Sequence, residues 1–96
     1  MRLILTTAAE ADLRDIFRYS KLTLGTTVAV NYVATINAKI ALIVTNPQIG
    51  RRFDAIDDDM RRTACLRHHI YFRSIGDELR IVRVLHQRME ASRHLE

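Results

Sequence analysis

Apolar residues follow a helical period through the first half of the chain and a period of two through the second half. The two halves therefore predict different layers of one fold. Arg2 to Thr6 alternates weakly and predicts a short opening strand. In Thr7-Ala8-Ala9-Glu10 the threonine and glutamate stand at capping-box spacing, which starts a helix from about Ala8 to Leu22. Ala9, Leu13, Ile16, Phe17 and Ser20 fall on one face of that helix, and Gly25 is suited to end it. Thr26 or Thr27 can cap a second helix to about Thr45, with the stripe Ala29, Val33, Ile36, Ile40 and Ile43. The short connection makes the pair an antiparallel hairpin. Asn46-Pro47 ends the second helix, because a residue before proline avoids the helical region, and a loop follows through Asp59.

From Met60 onward, Met60–Leu66, Ile70–Ser74 and Leu79–Leu85 predict three strands, with Ile75-Gly76-Asp77-Glu78 as a tight hairpin turn. That turn sets Phe72 opposite Ile81, Tyr71 opposite Val82 and Arg73 opposite Arg80. Opposed like charges are destabilising, so either the register differs or a carboxylate or anion intervenes. Uninterrupted alternation puts Arg83 on one face with Ile81 and Leu85, where it must pair internally or reach the rim. The tail from Gln87 to Glu96 is polar. The order is β-α-α-β-β-β, a single α+β domain over residues 1–96 with a helical hairpin packed on a small antiparallel or mixed sheet.

At 96 residues there is room for one core only. The single cysteine excludes a disulfide framework and a cysteine-based zinc site. No run approaches the roughly 18 apolar residues of a membrane span, and the N-terminus lacks a secretory apolar core. A cytoplasmic chain with no membrane partner is the expectation. The net charge is +4, and thirteen of the fifteen basic residues are arginine. Between Arg61 and Arg93 eight arginines face three acids, Asp77, Glu78 and Glu90. A basic final third suggests an acidic partner, protein or nucleic acid; a solvated basic rim is the plainer alternative.

His86, with Arg83 and Arg88 near it, could serve phosphodiester cleavage, the imidazole moving a proton and the guanidiniums stabilising phosphorane charge. A strand-end histidine bonded to backbone or to Glu90 is the more ordinary reading. His68 and His69 are adjacent, so a strand points them to opposite faces and they cannot share a metal. Cys65 reads as a small core residue. Tyr71 and Phe72 could stack bases, although strand aromatics more often fill a core. Asp54, Asp57, Asp58 and Asp59 lack the glycine and terminal glutamate of a calcium loop, and the three glycines form no phosphate cradle. No metal or cofactor is expected. The residues alone support a basic binding module more than an enzyme.

Several segments resemble one family. Ala9-Glu10-Ala11-Asp12-Leu13, then Ile16-Phe17-Arg18-Tyr19 and Gly25, resemble the first helix of ParE toxins. Asn46-Pro47-Gln48-Ile49-Gly50-Arg51 resembles their Pro-x-x-Gly-Arg loop, and Arg61-Arg62 their strand-opening arginine. Ile70-Tyr71-Phe72-Arg73 is similar to their Ile-Phe-Tyr-Arg strand. Ile81-Val82-Arg83-Val84-Leu85-His86-Gln87-Arg88-Met89-Glu90 is similar to their Ile-x-Arg-Val-Leu-His-x-Arg-Met-Asp block. Phe17 and Leu24 stand where the family often has tryptophan, Tyr71-Phe72 inverts its aromatic pair, and Glu90 replaces aspartate.

The resemblance implies the RelE/ParE-like fold and the toxin role of a type II toxin–antitoxin system. It implies DNA gyrase as the poisoned target and a ParD-type antitoxin as the neutralising partner in a hetero-oligomer, with no direct DNA binding by the chain alone. Catalysis is then not needed. Two alternatives stand beside it. One is a RelE-like ribosome-dependent mRNA interferase, which would use His86, Arg83 and Arg88 as catalytic residues. The other is an inactive toxin-like module that only binds an antitoxin. The charge excess and the family-like block place target contacts at Arg88, Met89 and Arg93. Two helices cannot cover both faces of a sheet, so apolar Tyr71, Val82 and Val84 are expected to be left for the antitoxin, with Arg73 and Arg80 pairing with its carboxylates.

Overall fold

The computed structural model describes residues 1–53 and 59–95. Strand β1 (Arg2–Leu5) leads into helices α1 (Thr7–Leu24) and α2 (Thr26–Thr45). The strands β2 (Arg51–Arg52), β3 (Arg61–Cys65), β4 (His68–Ile75) and β5 (Glu78–His86) follow, and a short 3-10 turn at Ala91–Arg93 ends the chain. The five strands form one mixed sheet in the order β1-β5-β4-β3-β2, with β1 parallel to β5 and the other pairs antiparallel. The expected α+β class and helical hairpin are both present.

The cap of α1 lies one residue earlier than the sequence spacing suggests. Thr6 is the N-cap, its Oγ1 accepting from the Ala9 N–H at 3.0 Å. Glu10 therefore stands beyond the third helical position, and no capping box forms. The Thr6 hydroxyl also donates to the Val82 carbonyl at 2.7 Å, so one side chain both starts α1 and fixes it to β5. Helix α2 is long and apolar enough to cross a membrane. Here Ala29, Ile36, Ile40 and Ile43 are buried, the last three in the core between hairpin and sheet.

Strand β2 is an addition to the elements read from the sequence. Its two residues pair Arg51 with Arg62 and Arg52 with Arg61. Gly50 makes that pairing possible: at φ +81° it lies so close to β3 that a Cβ would fall 2.3 Å from the Arg62 carbonyl oxygen. The acidic loop residues Asp54, Asp57 and Asp58 lie outside the described residues.

The expected hairpin register holds near the turn, where Ile75 pairs with Glu78, Arg73 with Arg80 and Phe72 with Ile81. The like-charged pair is relieved on one side by Glu78, which accepts from Arg80 at 3.1 Å and from Arg2. Beyond Phe72 the register slips. A bulge makes Tyr71 pair with Arg83, not Val82. The alternation in β5 changes phase there, and the expected common face of Ile81, Arg83 and Leu85 does not exist. Ile81 and Val84 join the helix-side core with Phe72 and Ile70, whereas Leu85 lies in a second cluster with Met60 and Tyr71.

That second cluster overturns a further expectation. The tail is not merely polar: Ala91 and Leu95 are buried against Tyr71 and Leu85 on the sheet face away from the helices. Tyr71 and Val84 are each only 2% exposed, one under this tail and the other under the helices. Neither is left open for a partner, because the chain covers both faces of its own sheet.

The bulge delivers Arg83 to Asp12 of α1. The guanidinium donates from Nε and Nη2 to the two carboxylate oxygens at 2.7 and 2.8 Å, and from Nη1 to the His94 carbonyl at 2.9 Å. Asp12 also accepts the Val84 N–H at 2.9 Å, on the part of β5 that β1 does not reach. These bonds hold Arg83 above its already high ordinary pKa. Asp12→Ala should leave a largely buried guanidinium and a strand N–H without partners, a cost of about 3–5 kcal/mol. Denaturant unfolding should show that loss, and Asp12→Leu combined with Arg83→Met should recover the part that comes from the stranded guanidinium. A single variant within about 1 kcal/mol of wild type would contradict this reading of the pair.

Candidate functional site

Where the hairpin's closed end overhangs the sheet, a cleft of about 1060 Å³ opens. Its helical wall is Asp15, Ile16, Tyr19 and Leu24 of α1 with Tyr32 of α2. Its floor is the paired ends of β4 and β5, His68 and His86, and its far wall is Arg67 and Arg88. Sequence reasoning singled out His86 and Arg88 here but not Tyr32, His68, Arg67 or Tyr19. Nothing in the spacing of Tyr32 and His68, thirty-six residues apart, signals their contact.

Tyr32 is the hub of the floor. Its hydroxyl oxygen accepts the Arg67 N–H at 3.1 Å and forms a hydrogen bond with His68 Nδ1 at 2.6 Å, whose direction follows the imidazole tautomer. The His68 ring meets the Tyr32 and His86 rings edge to face, with centroids 5.5 and 5.3 Å away. Burial, reinforced by the adjacent His86, lowers His68 from 6.5 to about 4, with Asp12 acting in the opposite sense. His69 points to the opposite face, against Tyr71, and burial lowers it too. The turn that carries Arg67 holds Leu66 at φ +56°, a left-handed conformation that ordinarily costs a non-glycine residue about 1–2 kcal/mol.

His86 is bonded through Nδ1, which accepts the Arg88 N–H at 3.1 Å. This backbone bond is the plainer reading given for a strand-end histidine. In the neutral ring Nε2 then carries the hydrogen, and no nitrogen lone pair is free to take a proton. Arg83 is engaged by Asp12 and the tail, so the three residues of the cleavage alternative do not converge: His86 and Arg88 share the cleft, and Arg83 is withdrawn from it. Cys65 is buried in the helix-side core, which raises its thiol pKa and makes it a poor nucleophile. Among the described residues, no three His, Cys, Asp or Glu side chains gather as a metal site.

Of the expected target contacts, Arg88, Met89 and Arg93 are all exposed, and Arg93 is ion-paired with Glu90 at 3.1 Å. Of the expected antitoxin contacts, Tyr71 and Val84 are buried, while Arg73, Arg80 and Val82 are half-buried. Arg73 and Arg80 lie at the turn end of β4 and β5, opposite the cleft.

A solved chain described as the chromosomal ParDE TA system from P. aeruginosa shares this architecture. Its TM-score is 0.79 at 26% identity, covering 90% of this chain and 95% of that one. The fold is thus that of a RelE/ParE-like toxin. The family model described as ParE toxin of type II toxin-antitoxin system, parDE, matches residues 3–91. Toxin ParE1 of Caulobacter vibrioides is 36% identical over 91 residues, which is 95% of this chain and 94% of the relative. Toxin ParE1 of Mycobacterium tuberculosis is 34% identical over 95 residues, covering 98% and 97%. The chain belongs to the ParE toxin family of type II toxin–antitoxin systems.

The histidine floor generates a pH prediction. Above pH 6.5 His68 is neutral in both folded and unfolded chains, and its full contribution to stability is present. Between 6.5 and about 4 the unfolded chain takes up a proton that the folded chain refuses, so stability falls as pH falls. Urea midpoints should therefore drop from pH 7.5 to pH 5, and His68→Gln should flatten that drop. Equal slopes in the two proteins would show that His68 is not the group responsible.

Proposed function

We propose that this chain is a cytoplasmic toxin that poisons DNA gyrase and is held inactive by a ParD-type antitoxin encoded with it. The observation that carries the choice of a poison over a nuclease is the dispersal of the cleavage set. Arg83 is tied to Asp12, and His86 presents a donor to the cleft where a general base would need an acceptor. A poison that traps a partner enzyme needs contacts and no bond-breaking group of its own. Exposed Arg88, Met89 and Arg93 offer two guanidiniums, suited to carboxylates or to phosphates of enzyme-bound DNA. The antitoxin is assigned to the opposite end of the sheet, where Arg73 and Arg80 flank Val82.

The test is inhibition of gyrase supercoiling by the purified chain. Arg88→Gln combined with Arg93→Gln should weaken inhibition by roughly tenfold or more while melting temperature and antitoxin affinity stay unchanged. His86→Gln should keep toxicity. Loss of a general base costs an enzyme about 10²–10⁴ in rate, so ribosome-dependent mRNA cuts that vanish in His86→Gln would replace this reading with the interferase one.

Antitoxin binding should show a large negative heat-capacity change, as expected when a disordered partner segment folds and buries its own apolar surface on binding. Binding that collapses at moderate salt with no heat-capacity change would remove the apolar part of that interface.

A further inference from the structure

The cleft has features that neither catalysis nor folding uses. Arg2, Arg80, Arg83 and Arg93 each hold a carboxylate of this chain. Among the described residues, the guanidiniums of Arg67 and Arg88 hold none, although they stand on one wall of the same cleft. The acid on the other wall, Asp15, faces Arg18 at 3.8 Å. Large apolar side chains flank the opening: Tyr19 is 70% exposed and Leu24 65%. The surface is therefore apolar at its edges and cationic on one side, and it is set on rigid elements by the Tyr32 hydroxyl.

We infer that the cleft docks a protein segment of the poisoned target, an apolar side chain seated between Tyr19 and the histidine floor with neighbouring carboxylates on Arg67 and Arg88. This deepens, and rests on, the gyrase reading. It adds Tyr19, Leu24 and Arg67 to the contact residues. Tyrosine and arginine are the side chains that most often anchor protein interfaces. A single nucleic-acid strand is the poorer fit. Two guanidiniums opposed by Asp15 make a weak phosphate track. The antitoxin is the poorer fit by position, because Arg73 lies five residues along β4 from His68, about 17 Å away. The cleft is instead continuous with Arg88 and Met89.

Supercoiling inhibition by full-length Tyr19→Ala and Arg67→Gln tests the assignment, with melting temperature and antitoxin affinity measured on each. Arg51→Gln, at the far edge of the sheet, is the control. Both side chains are exposed, so both variants should fold. The expected result is inhibition weakened roughly tenfold by Tyr19→Ala and about threefold or more by Arg67→Gln, with antitoxin affinity and the control unchanged. Wild-type inhibition that both variants retain would overturn the cleft assignment and leave the gyrase reading standing. A wild-type chain that does not inhibit gyrase would remove both. Loss of antitoxin affinity in either variant would give the cleft to the antitoxin. Tight binding of a single-stranded RNA oligomer that Tyr19→Ala abolishes would give it to nucleic acid.

Discussion

The Asp12–Arg83 pair is the constraint on which the other parts depend. β1 is four residues long and pairs with β5 only as far as Ile81, which leaves the later part of that strand edge to be closed by something else. One carboxylate does this by accepting the Val84 N–H, and the same carboxylate neutralises the guanidinium that the bulge at Val82 turns toward it. Arg83 in turn donates to the His94 carbonyl and so positions the tail that covers the second core. Helix, sheet and tail meet at one ion pair with side chains only 20% and 12% exposed. Such a pair adds little net stability over an apolar substitute, yet it is expensive to break from one side. It joins α1, β5 and the tail through one carboxylate and one guanidinium.

The bulge also decides which residues form surfaces. A period of two carried through β5 would send every second side chain to one face. The inserted residue reverses that parity at Val82, moving Val84 into the helix-side core and Leu85 out of it. Local patterning made the helices, the turn at Gly76 and the Phe72–Ile81 register legible, because each depends on residues near one another in the chain. The contact that the bulge gives Arg83 is with Asp12, seventy-one residues earlier in the chain. The tail's burial rests on Ala91 and Leu95, two apolar positions in a polar stretch, too sparse to register as a pattern. The two-residue β2 is shorter than any alternation can reveal, and Gly50 is its one local trace.

The candidate site was legible to a different degree on its two walls. Arg88 and His86 follow directly from the basic final third and the strand end. The helical wall, by contrast, consists of residues that patterning assigns to solvent or to the hairpin seam. Tyr19 and Leu24 acquire meaning only when the hairpin's closed end is set over the ends of β4 and β5. Arg67 acquires it from the turn at Leu66, whose left-handed backbone no apolar pattern would suggest.

Withdrawal of Arg83 ties the structural constraint to the functional one. With its guanidinium held by Asp12, the cleft keeps Arg67 and Arg88 on one wall and two imidazoles on the floor. Both imidazoles are bonded at Nδ1, His68 with the Tyr32 hydroxyl and His86 by the Arg88 N–H. In the neutral His86 ring Nε2 is a donor. That donor, with the guanidiniums of Arg67 and Arg88, is complementary to carboxylate oxygens. The interaction that locks α1 to the sheet therefore also keeps a third guanidinium out of the cleft and leaves Arg67 and Arg88 as its arginines.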